Sequence, residues 1–356
     1  MNFFYQICES KKYFMFLNSL NYFRAIAIIF IVFGHSFWLA DFEFITVFSK
    51  TIINLTAGGT FFFVFISGFL FHHIFYKKFN SKKFFKSKFK YVVLPYLFMS
   101  VLPIANYIIK NGYTLENSFY YLKPIGYCLV TGAHLLAYWY IPFIILVFAL
   151  SFLYVRFIKL DIKYQLLIFC FLSVISVFLH RPPEHSIYLS LQSLIYFTPF
   201  YLFGIICSEK KEMLYSKLFG KEFVILSIGL LFAILQVFIG VVGNYHKPPF
   251  EFASLDLMFV HKLIFSVFFM IFLHRFETVK STFLDLVAKN SFGIFFIHGY
   301  YILIFLLVKS RLNFSFPKNS FLVYVLVAIV IFVLSLLTSM LIRKVIPKYS
   351  RSIIGS

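Results

Sequence analysis

The chain of 356 residues is 61% hydrophobic and only 13% charged, about half the charged share of a soluble domain, which is roughly 25%. Too few polar residues exist to cover a water-exposed surface, so lipid must be the solvent for much of the chain. A net charge of +20 would suit a nucleic-acid partner, but the lysines fall between apolar runs and build no basic domain with its own core, so none is expected.

Apolar stretches of about 20 residues, the length that crosses a bilayer, recur along the whole chain. In order they are Tyr22–Ala40, Gly58–Phe75, Tyr91–Ile109, Leu135–Val155, Tyr164–Leu179, Leu189–Cys207, Phe223–Val242, Leu255–Leu273, Ser291–Val308 and Phe321–Ile342. Lys11 and Lys12 precede the first of these, which continues to Trp38 without a small-residue cleavage pattern. It reads as a retained helix and not a signal peptide. The expected fold is all-α: a polytopic membrane protein of about ten transmembrane helices, forming one domain over residues 1–356.

Loop charge sets the expected orientation, because Lys and Arg concentrate on the cytoplasmic side. Lys77, Lys78, Lys82, Lys83, Lys86, Lys88 and Lys90 lie between spans two and three with no acid among them. Later loops on that side carry Arg156, Lys159 and Lys163, then Lys210, Lys211, Lys217 and Lys221, then Arg275 and Lys280. Arg343, Lys344, Lys348 and Arg351 follow the last span. Opposite loops are poorer, with Asp41, Glu43 and Lys50, then Lys110, Glu116 and Lys123, then Arg181 and Glu184, then Lys247 and Glu251. Only Lys309, Arg311 and Lys318 run against the pattern. Both termini are therefore expected in the cytoplasm. The cysteines Cys8, Cys128, Cys170 and Cys207 have no paired or metal-type spacing, and no metal site is expected.

Ionisable groups at membrane depth are costly and mark sites. Arg24 and His35 share the first span. Eleven residues are close to three turns at 3.6 residues per turn, so both lie on one face, roughly 16 Å apart at 1.5 Å rise per residue. Arg24 sits at the cytoplasmic mouth and His35 near mid-membrane, too distant to touch. Arg24 reads as a grip on something at the entrance or as a snorkelling anchor. His35 reads as a reactive base or as a hydrogen-bond link to a neighbouring helix.

The second span contains Gly58-Gly59-Thr60 and then Ser67-Gly68, small residues that allow close helix approach, with Ser67 a candidate substrate contact. Lys88 and Lys90 precede Leu94-Pro95-Tyr96; they suit either anionic lipid or the phosphates of a cytoplasmic ligand. His134-Leu135-Leu136-Ala137-Tyr138-Trp139-Tyr140 opens the fourth span at its outer end. Its aromatic residues fit an interfacial belt, and Trp139 and Tyr140 also offer stacking faces for a sugar. Thr198-Pro199 is expected to kink the sixth span. Asn290-Ser291-Phe292-Gly293 to Ile297-His298-Gly299 places a further histidine in the ninth. His72, His73 and His261 look ordinary.

These clusters, in this order, resemble the integral-membrane acyltransferase family three, whose bacterial members O-acylate surface polysaccharides. The Arg24–His35 pair is similar to that family's first-helix signature. Gly59 to Ser67-Gly68-Phe69, the basic segment ending at Leu94-Pro95-Tyr96, Tyr138 to Phe143, and Ser291 to His298 are similar to its later landmarks, so the likeness covers nearly the whole chain. Phe61 stands where many members have an acidic residue, and lysines with Tyr91 replace an arginine-rich motif.

The resemblance implies an acyl-coenzyme A donor, usually acetyl-CoA, reaching the protein from the cytoplasm. It implies a glycan acceptor, free or lipid-linked, in a bacterial inner membrane. On that basis His35 is expected as general base, with Arg24, Lys88 and Lys90 as donor contacts. Ser67, His134, Trp139, Tyr140 and His298 are expected as acceptor or substrate contacts. The rival reading is a transporter of polysaccharide or lipid intermediates without chemistry; the absence of a two-fold internal repeat speaks against it.

Overall fold

The computed structural model describes residues 17–111, 118–183, 186, 188–318 and 320–356. Cys8, Lys11, Lys12, Glu116 and Glu184 lie outside the described residues. Among those described, every regular element is helical, and the one extended pairing is an isolated bridge between Arg181 and His246.

Eight helical stretches are long and apolar enough to cross a membrane, and two bent pairs bring the number to ten. The first span is α1 (Asn18–Ser36), continued by a tight turn to Ala40. The second is built from α2 (Val47–Thr56) and α3 (Gly59–Leu70), which runs on through a wider helical turn at Phe71–Phe75. Next come α4 (Ser81–Lys88) and α5 (Leu94–Lys110), joined by another wide turn, and then α6 (Ser118–Thr131). The first bent pair is α7 (Tyr140–Ala149) with α8 (Ser151–Ile158), at 53°. After α9 (Ile162–Leu179) and α10 (Leu189–Glu209), the second is α11 (Lys211–Leu218) with α12 (Glu222–Phe238), at 93°. The chain closes with α13 (Leu257–His274), α14 (Thr282–Arg311), α15 (Phe321–Val345) and the short α16 (Ser350–Ile353).

Each expected span has a helical counterpart, with two differences. The segment before Gly58 is a helix, α2, started by a capping box in which Thr46 and Ser49 bond reciprocally and ended where Ala57 turns extended before Gly58 (φ 74°). The ninth span is longer than its apolar stretch, because α14 runs 30 residues from a Ser281 cap.

The core shows how a chain in lipid satisfies its backbone. Pro199 within α10 has no N–H for the carbonyl of Ile195. The hydroxyl of Ser176 on α9 donates to that carbonyl instead, at 3.2 Å. Likewise Pro103 in α5 frees the carbonyl of Met99, which accepts from the Tyr300 hydroxyl on α14. Both prolines are thus tolerated because a neighbouring helix supplies the missing donor. The first turn of α1 lacks a cap of its own; the Glu277 carboxylate accepts from the backbone N–H of Asn18 and Ser19, at 2.5 and 3.3 Å. That contact ties the Arg24 end of α1 to the loop before α14. α3 and α10 cross closely at Gly68 and Gly204, where a Cβ on either would meet the backbone of the other helix.

Candidate active site

Two large cavities lie at opposite ends of α1. The first, about 500 Å³, is lined by Arg24, Lys88, Lys289, Arg343 and Arg351 together with Ser67, Tyr91 and Tyr140. The second, about 600 Å³, is lined by His35, Trp38, Trp139, Arg181, Asn244 and His246. Both volumes fall within the usual range of small-molecule sites, roughly 300–1,000 Å³. Between them the side chains nearly meet. A void of about 30 Å³ at His35 is walled by Ile31, Gly58, Gly59, Tyr140 and Phe295. A gap of about 10 Å³ follows among Ile31, Phe63, Tyr140, Phe292 and Phe295, room for about one water.

At the basic end, the Arg24 guanidinium donates through Nη2 to Asn21 Oδ1 at 2.9 Å, while its Nε is buried and has no partner. Arg343 donates to Asn290 Oδ1 at 3.3 Å, and Arg351 stacks over the Tyr91 ring at 4.0 Å. The Lys88 ammonium lies over the Phe148 ring at 4.2 Å and over Phe75 and Phe84 at 5.2 Å. Among the described residues none of these cations pairs with a carboxylate. A cavity with that many unneutralised charges attracts an anion, and the fork of Arg24 with a free buried donor suits an oxyanion.

At the other end His35 occupies the last turn of α1, half-buried, and faces the larger cavity. Its Nδ1 lies 3.1 Å from Nε2 of His298 on α14, whose own Nδ1 is 3.1 Å from the carbonyl of Ile294. Arg181 sits against this cavity, 6% exposed, with its guanidinium 4.9 Å from the centre of the Trp139 ring. Lys262 is wholly buried in α13 and donates to the carbonyl of Leu55 at 2.7 Å. It thereby supports the C-terminal end of α2, just before the Gly58-Gly59 wall of the His35 void.

The residues read from sequence divide accordingly. Arg24 and Lys88 share the basic cavity, whereas Lys90 is exposed and lies outside it, over the ring of Tyr91. Ser67 belongs to the basic cavity, whose wall it shares with Tyr140. Trp139 faces the His35 cavity, but Tyr140 does not: it forms the constriction and the wall of the basic cavity. Consecutive helical residues point about 100° apart, a consequence of 3.6 residues per turn, so an adjacent pair at a helix start serves two compartments. His134 is buried with both ring nitrogens engaged, Nε2 with Ser100 Oγ at 2.8 Å and Nδ1 with the carbonyl of Cys128 at 3.0 Å. It joins α5 to α6 and reaches neither cavity. His298 is fully buried and contacts His35, not open cavity. Arg181, Arg343 and Arg351 were legible in the sequence only as loop charge, because nothing in their spacing tells which of many cations turns inward.

A family profile described as an acyltransferase domain matches residues 17–342. The chain belongs to the acyltransferase family three. It is a multi-pass membrane acyltransferase, and the family match takes in the cavity-lining groups on α1 and α14, whereas Arg343 on α15 and Arg351 lie just beyond it. No curated protein and no solved structure matches the chain.

Proposed function

We propose that this acyltransferase moves an acyl group, acetyl in the simplest case, from cytoplasmic acyl-CoA to a hydroxyl of a cell-surface or lipid-linked glycan at a bacterial inner membrane. The observation that carries the reading is the pair of unlike cavities on one helix, basic at Arg24 and aromatic-walled at His35, separated by an apolar constriction.

Acyl-CoA has its phosphates at one end and its thioester at the end of a thin flexible arm. The phosphates suit Arg24, Lys88, Arg343 and Arg351, and the orphaned Arg24 Nε offers a donor that water does not reach. The arm threads the constriction when Phe63, Tyr140 or Phe295 changes rotamer, over the roughly 16 Å of helical rise from Arg24 to His35. A sugar suits the far cavity, whose wall includes the aromatic Trp139. The lysine-rich loops on the Arg24 side support a cytoplasmic location for that end and for both termini. In the transfer step His35 takes the proton of the acceptor hydroxyl as its oxygen attacks the thioester carbonyl. Collapse of the tetrahedral intermediate breaks the C–S bond, and His35 returns the proton to the departing thiolate. The products are the ester and free coenzyme A.

Purified protein in lipid nanodiscs, given labelled acetyl-CoA and a membrane glycan extract, tests this. Wild type is expected to label the glycan and release coenzyme A; His35→Ala is expected to lose about 10²–10⁴-fold of the rate, the usual worth of a general base. A folded His35→Ala protein that transfers label at the wild-type rate would remove His35 from the chemistry. Glycan movement into sealed vesicles with no coenzyme A release would favour a transporter.

A further inference from the structure

We propose that His298 is a positioning residue that fixes the tautomer of His35, leaving His35 Nε2 unprotonated and available as the base. The inference rests on the reading of His35 as general base and adds to it which nitrogen acts and what holds it so.

The assignment follows from one fixed group. The carbonyl of Ile294 only accepts, so His298 Nδ1, 3.1 Å away, must carry the hydrogen. A neutral imidazole has a single ring hydrogen, so His298 Nε2 presents a lone pair. His35 Nδ1 stands 3.1 Å from that lone pair and must therefore donate. The single hydrogen of neutral His35 is then spent on Nδ1, and Nε2 is bare. The reverse arrangement would set the lone pair of His298 Nδ1 against the carbonyl oxygen, two acceptors facing each other at a buried site, which is costly.

The ring geometry agrees. The two planes differ by 5° and the centroids are 5.4 Å apart. The 3.1 Å nitrogen–nitrogen separation plus a ring radius at each end accounts for that centroid distance, so the rings lie edge to edge in one plane and not face to face. An in-plane N–H···N bond is what an imidazole lone pair requires. His298 is itself held by α14, since Ile294 is one turn earlier on the same helix, and it is fully buried. His35, by contrast, is half-buried and meets the void at Gly58-Gly59 and the larger cavity. The rigid partner orients the reactive one.

The arrangement does for His35 what a carboxylate does for the histidine of a hydrolase triad, where the orienting group holds the tautomer and does not itself become protonated. A neutral imidazole supports the imidazolium less strongly than a carboxylate, but burying it at membrane depth costs far less than burying a charge.

Two variants at position 298 test the inference with the same labelled acetyl-CoA and glycan extract. His298→Met fills the space without a lone pair at the Nε2 position, and His298→Gln restores an acceptor oxygen there. His298→Met is expected to lower kcat about 10²–10⁴-fold, in the range of an orienting group's loss, with the half-saturating amounts of acetyl-CoA and extract little changed. His298→Gln is expected to recover kcat to within about tenfold of wild type. Wild-type kcat in folded His298→Met overturns the inference, as does equal loss in both variants. So does a rise in the half-saturating extract at unchanged kcat, which would make His298 an acceptor contact. If His298→Met does not fold, His298→Gln decides alone: folded with kcat lost, it overturns the inference. His35→Ala separates the two readings, because full activity there refutes the base itself, whereas loss there with full activity in His298→Met refutes only the positioning role.

Discussion

Arg24 sits where a positive-inside anchor would sit, yet an anchor exposes its charge to water and lipid headgroups. Here the Nη2 is held by Asn21, one turn earlier, and the Nε is buried without a partner. A buried donor left open costs about 1–3 kcal/mol, and an oxyanion in the basic cavity would offset that cost. Arg24→Gln is therefore expected to raise the half-saturating acetyl-CoA concentration about 10- to 100-fold, from the loss of a charged hydrogen bond. Arg24→Lys should fall between, because a point charge replaces the fork. The acceptor dependence should not move. Equal donor affinity in wild type and Arg24→Gln, measured by equilibrium binding of labelled coenzyme A, would reduce Arg24 to an anchor. At this scale the sequence was a partial guide. Arg24 and His35 were legible because charged groups in an apolar run stand out. The His35–His298 contact was not, because its partners are 263 residues apart and no helical period relates them.

Among the elements, the close crossing of α3 and α10 determines how the wall of the site is held. A Cβ on Gly68 would come within 1.9 Å of the Tyr201 carbonyl oxygen, and one on Gly204 within 2.1 Å of that of Phe65. Both obstacles are backbone, which cannot swing aside as a side chain can. Gly68→Ala is expected to destabilise the protein by more than about 3 kcal/mol, above the usual overpacking cost, and to lower its melting temperature in detergent. Gly126→Ala, which meets nothing within 4 Å, is the matched control, expected to melt like wild type. Equal melting of both variants would mean the helices separate easily. The sequence indicated close approach at Gly68 from residue size alone. It gave no sign of α2, since Val47–Thr56 is only 10 residues long, shorter than a span, and its capping box involves Thr46 and Ser49 in a stretch read as loop. It also drew attention to Pro199, through which α10 runs over Leu189–Glu209 with the freed carbonyl taken by Ser176. That compensation comes from another helix and is invisible locally.

For the whole molecule, the charge pattern and the two cavities describe one axis. Two of the three cations that ran against the positive-inside pattern are paired: Lys309 with Asp41 at 2.5 Å and Lys318 with Glu43 at 2.9 Å. Lys309 and Lys318 at the His35 end are thus held in ion pairs, whereas among the described residues Arg24, Lys88, Arg343 and Arg351 pair with no carboxylate. If acyl groups cross from one cavity to the other, the residues at the constriction govern passage without touching donor phosphates or the proton. Ile31 and Phe295 both border the void at His35 and the gap beyond it. Ile31→Phe adds bulk where about one water fits, so coenzyme A binding should persist while label transfer falls about tenfold or more, a loss worth at least 1.4 kcal/mol at the barrier. Phe295→Leu removes bulk and should raise the rate with succinyl-CoA relative to acetyl-CoA. Both effects are differences between binding and transfer within one folded protein, so general destabilisation cannot mimic them. If Ile31→Phe weakened donor binding and transfer in parallel, or if Phe295→Leu left the preference between the two acyl groups unchanged, the constriction would not be the route, and the cavities would serve separate ligands.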